Sequence, residues 1–142
     1  MGRVILGIIS GVVIAVAVVF AIELILNVIS PPPADFDTSD PVDMRERVRG
    51  LPMFAFGLVL IGWLLGTALG SWAAVRIGQR PITWPGLVVG AVVFGSAIYN
   101  IMTIPHPIWF VVIAVLAIPV TSWLGASRAR GRALPAGPAV AP

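Results

Sequence analysis

Cysteine and lysine are both absent from this 142-residue chain, histidine occurs once, and only six residues are acidic. Without cysteine there is no disulfide, no thiolate metal site and no cysteine nucleophile. The single histidine, His106, together with scattered carboxylates provides too few ligands for a metal site and no serine–histidine–acid triad. The sequence also contains no glycine-rich phosphate-binding loop. We therefore predict that the protein is not an enzyme and has no metal or other cofactor.

Apolar residues, in contrast, are abundant: 58% of the chain is hydrophobic and the mean hydropathy is +1.02. Soluble domains alternate apolar and polar positions, whereas here the apolar runs reach about the 18 residues that cross a bilayer. We predict an all-α fold, a four-transmembrane-helix bundle formed by residues 1–125, with a disordered cytoplasmic tail at 126–142. The predicted spans are residues 4–29, 52–76, 84–104 and 107–125, with an outer loop at 30–51.

The arginines predict the orientation of the bundle. Six lie on the side of the termini, and the other three lie in the 30–51 loop together with five acidic residues. Short loops rich in arginine stay in the cytoplasm, so we predict that both termini are cytoplasmic. The arginines follow the ends of spans and form no basic stripe, which argues against nucleic acid and leaves the lipid bilayer as the expected partner. The six on the termini side are Arg3, Arg76, Arg80, Arg128, Arg130 and Arg132.

The outer loop contains a helix-start pattern. Asp40 is a candidate N-cap, Pro41 suits the first helical position, and Asp43 is placed to accept from the backbone N–H of the cap residue. The following residues put Val48 and Leu51 on one face and arginines on another, which is typical of a short helix on the membrane surface. A solvated loop with a nascent turn is the alternative.

Small residues recur every four positions in span 2. Such spacing forms a smooth face along a helix and allows another backbone to approach closely. Packing within the bundle is the favoured interpretation, and packing against a second copy or a larger membrane complex is the alternative. The residues concerned are Gly62, Gly66, Gly70 and Ala74, and Gly86 and Gly90 begin span 3 in the same way.

Glu23 is the only acidic residue inside a predicted span, about six residues before the end of the first. A carboxylate in a membrane is costly to expose to lipid and should face the bundle. We expect it in a polar cluster with Asn27, Asn100 and, less directly, Tyr99 or His106. One interpretation is structural, with Glu23 hydrogen-bonded to Asn100 or paired with an arginine of residues 45–49. The other is functional, with Glu23 binding a proton or a cation in a small transporter.

The chain combines several features of one pattern: a glutamate and an asparagine late in the first helix, the prolines at 31–33, the acidic loop and the segment Ile104–Phe110. With this pattern the chain resembles small uncharacterised bacterial four-helix membrane proteins. The resemblance implies a multi-pass protein of the bacterial inner membrane and no known activity. Small multidrug transporters also have four helices and a glutamate in the first. This chain departs from them in its long acidic loop, its charge bias and the late position of Glu23.

These observations predict a structural or accessory membrane protein without catalytic activity, which packs with itself or with a larger membrane complex. The glycine spacing and the lack of a catalytic constellation are the basis of that prediction. The alternative is a small proton- or cation-coupled transporter or channel that uses Glu23.

Overall fold

A computed structural model describes residues 1–37, 39–79 and 82–130. Every helix or strand in these ranges is an α-helix, which confirms the all-α class, and four of the five helices are long and apolar enough to cross a membrane. The helices are α1 (Gly2–Ile29), α2 (Pro41–Gly50), α3 (Met53–Gly78), α4 (Trp84–Thr103) and α5 (Ile108–Arg130).

Helix α5 is longer than the predicted fourth span, because it continues to Arg130. Residues 126–130, which we predicted to begin the disordered tail, are therefore helical. The rest of that tail, with Arg132, and the turn residue Arg80 lie outside the described residues.

Helix α2 begins as the loop sequence predicts. The Asp40 carboxylate accepts from the backbone N–H of Val42 at 2.7 Å, and Pro41 occupies the first helical position. Asp43 does not accept from the backbone N–H of Asp40, as we predicted, but makes another contact. Asp43 accepts from the backbone N–H of Asp37 at 3.0 Å, while the Asp40 N–H donates to the Asp37 carbonyl. Asp43 thus ties the incoming loop to the helix.

Helix α3 is the centre of the bundle, because it packs against α1, α4 and α5. The small-residue strip of α3 (Gly62, Gly66, Gly70 and Ala74) is buried along its whole length. A Cβ added to Gly70 would lie 2.5 Å from the Gly11 carbonyl oxygen of α1, and one added to Gly66 would lie 2.8 Å from that of Ala15. The strip is therefore occupied by α1, within the chain.

The same contact is tight from the α1 side. A Cβ on Gly7 would lie 2.5 Å from the Ala74 carbonyl oxygen, and one on Gly11 would lie 2.5 Å from that of Gly70. Close approach of two backbones maximises dispersion contacts, the main source of helix association in lipid. The order of the contacts also shows that α1 and α3 run antiparallel.

Gly86 and Gly90 of α4 pack inside the bundle as well. Cβ atoms there would clash with Ala126 and Ser122 of α5. The Ser122 and Ser71 hydroxyls both donate to the Gly86 carbonyl oxygen, at 3.2 and 2.9 Å. These buried hydrogen bonds tie α3, α4 and α5 together, because at a helix crossing in lipid hydroxyls donate to the backbone of a neighbouring helix.

Outside these contacts the helices present apolar side chains. On α1, Ile9, Val13, Val16 and Phe20 are all more than half exposed. An apolar face of this length suits acyl chains and would be unusual on a soluble monomer.

Candidate functional site

Four of the five residues predicted to cluster do lie together, at the end of the bundle that α2 covers. Glu23 and Asn27 lie one turn apart on α1, Asn100 lies on α4, and His106 lies in the turn between α4 and α5. All four line one cavity of about 310 Å³, here called the loop cavity. The fifth, Tyr99, is 73% exposed and lines neither this cavity nor the one next to it.

A second cavity of about 240 Å³ lies deeper, between α1 and α4. We call it the interhelix cavity. It shares Glu23, Trp63 and Asn100 with the loop cavity. Of its lining residues, Trp63 is buried, whereas Val16 and Phe20 are exposed. Of the residues that the structure describes, Glu23 is the only charged one that lines it.

The Glu23 carboxylate has no hydrogen-bond or ion-pair partner among residues 1–37, 39–79 and 82–130. Neither structural partner that we expected is engaged. Asn100 lines the same two cavities without forming the predicted hydrogen bond. Arg47, the arginine of α2 that reaches the loop cavity, donates instead to the Asn27 side-chain oxygen at 2.6 Å. Because Glu23 lies near Asn100 and Arg47 but pairs with neither, its carboxylate is available to a ligand.

Arg47 connects α2 to the end of α1. Besides Asn27, it donates to the Ser30 carbonyl oxygen at 3.2 Å, and its guanidinium lies 5.3 Å from the centre of the Phe36 ring. Val48 and Leu51 pack against the hydrophobic core that contains Trp63. Helix α2 is thus held over the loop cavity by the contacts of Arg47 and by the apolar packing of Val48 and Leu51.

His106 belongs to an aromatic cluster that the sequence analysis missed. Its ring stacks on Phe110 with the centroids 4.8 Å apart, and Phe56 and Trp63 lie at 6.2 and 6.3 Å. The seven-residue spacing of Phe56 and Trp63, two turns of α3, was the available signal, since it puts both rings on one helix face.

The His106 Nδ1 atom lies 2.8 Å from the Ile104 carbonyl oxygen. Because a carbonyl oxygen only accepts, Nδ1 carries the proton and Nε2 remains an acceptor in the neutral ring. Burial among the aromatic rings lowers the pKa of His106 below its ordinary value of 6.5, and the hydrogen bond to Ile104 raises it by less. His106 is therefore neutral at pH 7.

This lowered pKa predicts a pH-dependent stability. A histidine that is harder to protonate when folded stabilises the fold fully above its unfolded pKa. We expect the melting temperature in mild detergent to fall as the pH decreases below about 6.5. His106→Phe keeps a ring against Phe110 but cannot titrate, so its melting temperature should depend less on pH. Equal dependence in both proteins would contradict the role of His106.

The described residues contain no group of three or more histidine, cysteine, aspartate or glutamate side chains placed to hold a metal ion. The chemistry available at the two cavities is therefore that of one carboxylate, one guanidinium (Arg47), two amides, one neutral imidazole and aromatic faces. A positive charge is bound by a carboxylate and by the face of an aromatic ring, and amide oxygens accept hydrogen bonds from it.

Comparison with known proteins supplies no relative. No family model, no curated protein and no solved structure matches this chain. The resemblance to bacterial four-helix membrane proteins stays a prediction, and the proposal for function depends on the site itself.

Proposed function

We propose that this chain is a small non-enzymatic membrane protein that binds a cation or a proton at Glu23, as the binding step of a proton- or cation-coupled transporter. One observation carries the proposal. Among the described residues, Glu23 is the only charged one that lines the interhelix cavity, and its carboxylate has no partner among them. An ionisable group inside a membrane span without a structural partner is typical of a substrate or proton pathway.

The lining of the interhelix cavity favours an organic cation. Trp63 and Phe20 supply aromatic faces, Asn100 an amide and Ser96 a hydroxyl, around the single carboxylate. Cation–π attraction strengthens when the cation is desolvated, as it is in this cavity. A carboxylate accepts either a proton or a cation, so the two compete and one can be exchanged for the other.

The proposed setting is a bacterial inner membrane, with both termini in the cytoplasm. The positions of Arg3 at the start of α1, Arg76 at the end of α3 and Arg128 at the end of α5 support this orientation, because all three lie at one end of the bundle. Arg45 and Arg49 are exposed on α2, while Val48 packs towards the core. This amphipathic arrangement supports α2 as a helix on the outer membrane surface.

Equilibrium dialysis tests the cation proposal. Purified protein in mild detergent is dialysed against labelled phenyltrimethylammonium at pH 4 and pH 8, on either side of the range in which an ordinary glutamate titrates. We expect one bound cation per chain and tighter binding at pH 8, because protons compete for the carboxylate. The uncharged analogue tert-butylbenzene should not displace it. Unsaturable uptake, or equal affinity at both pH values, would contradict the proposal.

An accessory role, in which the chain packs with itself or with a larger membrane complex, is the second candidate. The small-residue strip no longer supports it, since α1 occupies that strip. The exposed apolar face of α1, which includes Ile9, Val13 and Phe20, is the surface that such a partner would use. Gentle-detergent purification followed by mass determination distinguishes the candidates, because an accessory protein brings a stoichiometric larger partner.

A further inference from the structure

A third cavity lies next to the loop cavity and meets it at Arg47. It is a groove of about 360 Å³ between α2 and the loop that follows α1. It shares Phe36, Arg47 and Leu51 with the loop cavity, which in turn shares Glu23 with the interhelix cavity. The three spaces therefore form a series that ends at Glu23, and we call the three residues shared by the first two spaces the neck.

Carboxylates line the groove, which we call the acidic groove. Asp35, Asp43 and Glu46 contribute to it, and Arg47 is the one basic residue among its described lining residues. Asp35 and Glu46 are exposed, so the groove is open to solvent. A concave surface lined mainly by one sign of charge raises the local concentration of counter-ions. The acidic groove therefore attracts cations to the neck.

The Arg47 guanidinium is bound at the neck as a separate organic cation would be. It donates to the Asn27 side-chain oxygen at 2.6 Å and to the Ser30 carbonyl oxygen at 3.2 Å, and it lies 5.3 Å from the centre of the Phe36 ring. Oxygen acceptors and an aromatic face are groups that bind a positive charge. We call these three partners, Asn27, Ser30 and Phe36, the neck subsite.

The Arg47 side chain is able to leave the neck without moving α2. Val48 and Leu51 pack against the hydrophobic core, so they hold the helix in place when the neighbouring side chain rotates. Arginine is among the side chains with the most rotamer freedom, and Arg47 is only half-buried. Rotation of this one side chain opens the boundary between the acidic groove and the loop cavity.

We propose that Arg47 is an internal plug: its guanidinium occupies the neck subsite, and an organic cation replaces it there before reaching Glu23. The inference rests on the cation site proposed at Glu23 and adds the route by which that site is filled. The exchange keeps one positive group at the neck subsite. Asn27 lies four residues after Glu23 on α1, so the two positions are about 6 Å apart along the helix axis.

An introduced thiol tests the plug, because the chain has no cysteine of its own. Asn100→Cys places the thiol in the lining of both the loop cavity and the interhelix cavity. The protein in nanodiscs is treated with a quaternary-ammonium methanethiosulfonate, and mass spectrometry follows the rate of modification. Adding Arg47→Ala should raise this rate about tenfold or more. Arg49→Ala removes the same charge from an exposed position of α2 and should leave the rate unchanged.

Methylguanidinium distinguishes removal of the plug from damage to the fold. It supplies the head group that Arg47→Ala removes, so it should bind the vacated neck subsite and slow the modification towards the parent rate. It should have no effect on the Arg49→Ala protein. Asn27→Ala keeps Arg47 but removes its closest acceptor, so it should raise the rate as well. A fast rate in Arg47→Ala that methylguanidinium does not lower would overturn the plug.

Dialysis of the parent protein separates this proposal from the cation site itself. If phenyltrimethylammonium does not bind but the thiol rates follow the expected order, the plug stands and the proposed function is wrong. If the cation binds while neither Arg47→Ala nor Asn27→Ala changes the rate, the plug is wrong. The cation then enters between α1 and α4, where Phe20 at the interhelix cavity is exposed.

Discussion

Replacing Gly70 by alanine is expected to destabilise the bundle by about 1–3 kcal/mol, the range for overpacking of a close-packed interior. The new methyl group would lie 2.5 Å from the Gly11 carbonyl oxygen and 3.0 Å from the Ala15 Cβ atom, both on α1. The first neighbour is backbone, so it can retreat only if the two helices separate. Unfolding in increasing dodecyl sulphate, followed by circular dichroism, measures the effect.

The matched control for this change lies in the same helix. Gly57→Ala adds the same methyl group to α3 at a position with no atom within 4 Å. Alanine is favoured over glycine in a helix by about 1 kcal/mol, so this variant should be as stable as the parent or more stable. If Gly70→Ala behaved like Gly57→Ala, the close packing of α1 on α3 would be wrong.

Replacing Glu23 by glutamine is expected to weaken phenyltrimethylammonium binding about thirtyfold or more, because the cation loses its only charged partner in the interhelix cavity. The difference in affinity between pH 4 and pH 8 should disappear with the titrating group. Glutamine has nearly the same shape, and Glu23 forms no hydrogen bond with the described residues that folding would lose. In proteoliposomes, proton-coupled uptake of the cation should be abolished.

Glu46→Gln is the control for this experiment. It removes the same charge from an exposed position of α2, and Glu46 lines neither the loop cavity nor the interhelix cavity. Binding and its pH dependence should persist. Should Glu23→Gln keep full affinity with its pH dependence, the cation is bound elsewhere, and the accessory role becomes the better candidate.

The small-residue strip illustrates how far the sequence could be interpreted. The four-residue spacing of Gly62, Gly66 and Gly70 predicted a close helix contact, because that spacing places small residues on one helix face. It left open whether the contact is made by the chain itself or by a partner. Only the register of α1, with Gly11 opposite Gly70, shows that the contact is made within the chain.

The candidate site was predictable to a similar extent. Similar distances from the helix ends predicted that Glu23, Asn27, Asn100 and His106 lie together, and all four line the loop cavity. The same reasoning included Tyr99, which the rotation of α4 leaves exposed. Hydrogen bonds depend on side-chain direction, so the sequence did not reveal that Arg47 binds Asn27 and leaves Glu23 unpaired.

The sequence by itself determined the helical class, the four long apolar helices and the start of α2. These features depend on local composition and on the requirement that backbone groups in a membrane bond within their own helix. The tertiary structure decided which helices share the small-residue strip, what surrounds His106, and that Arg47 binds Asn27. The physical reason is that each of these features joins side chains from distant segments, and only the relative rotation and register of packed helices sets their distances.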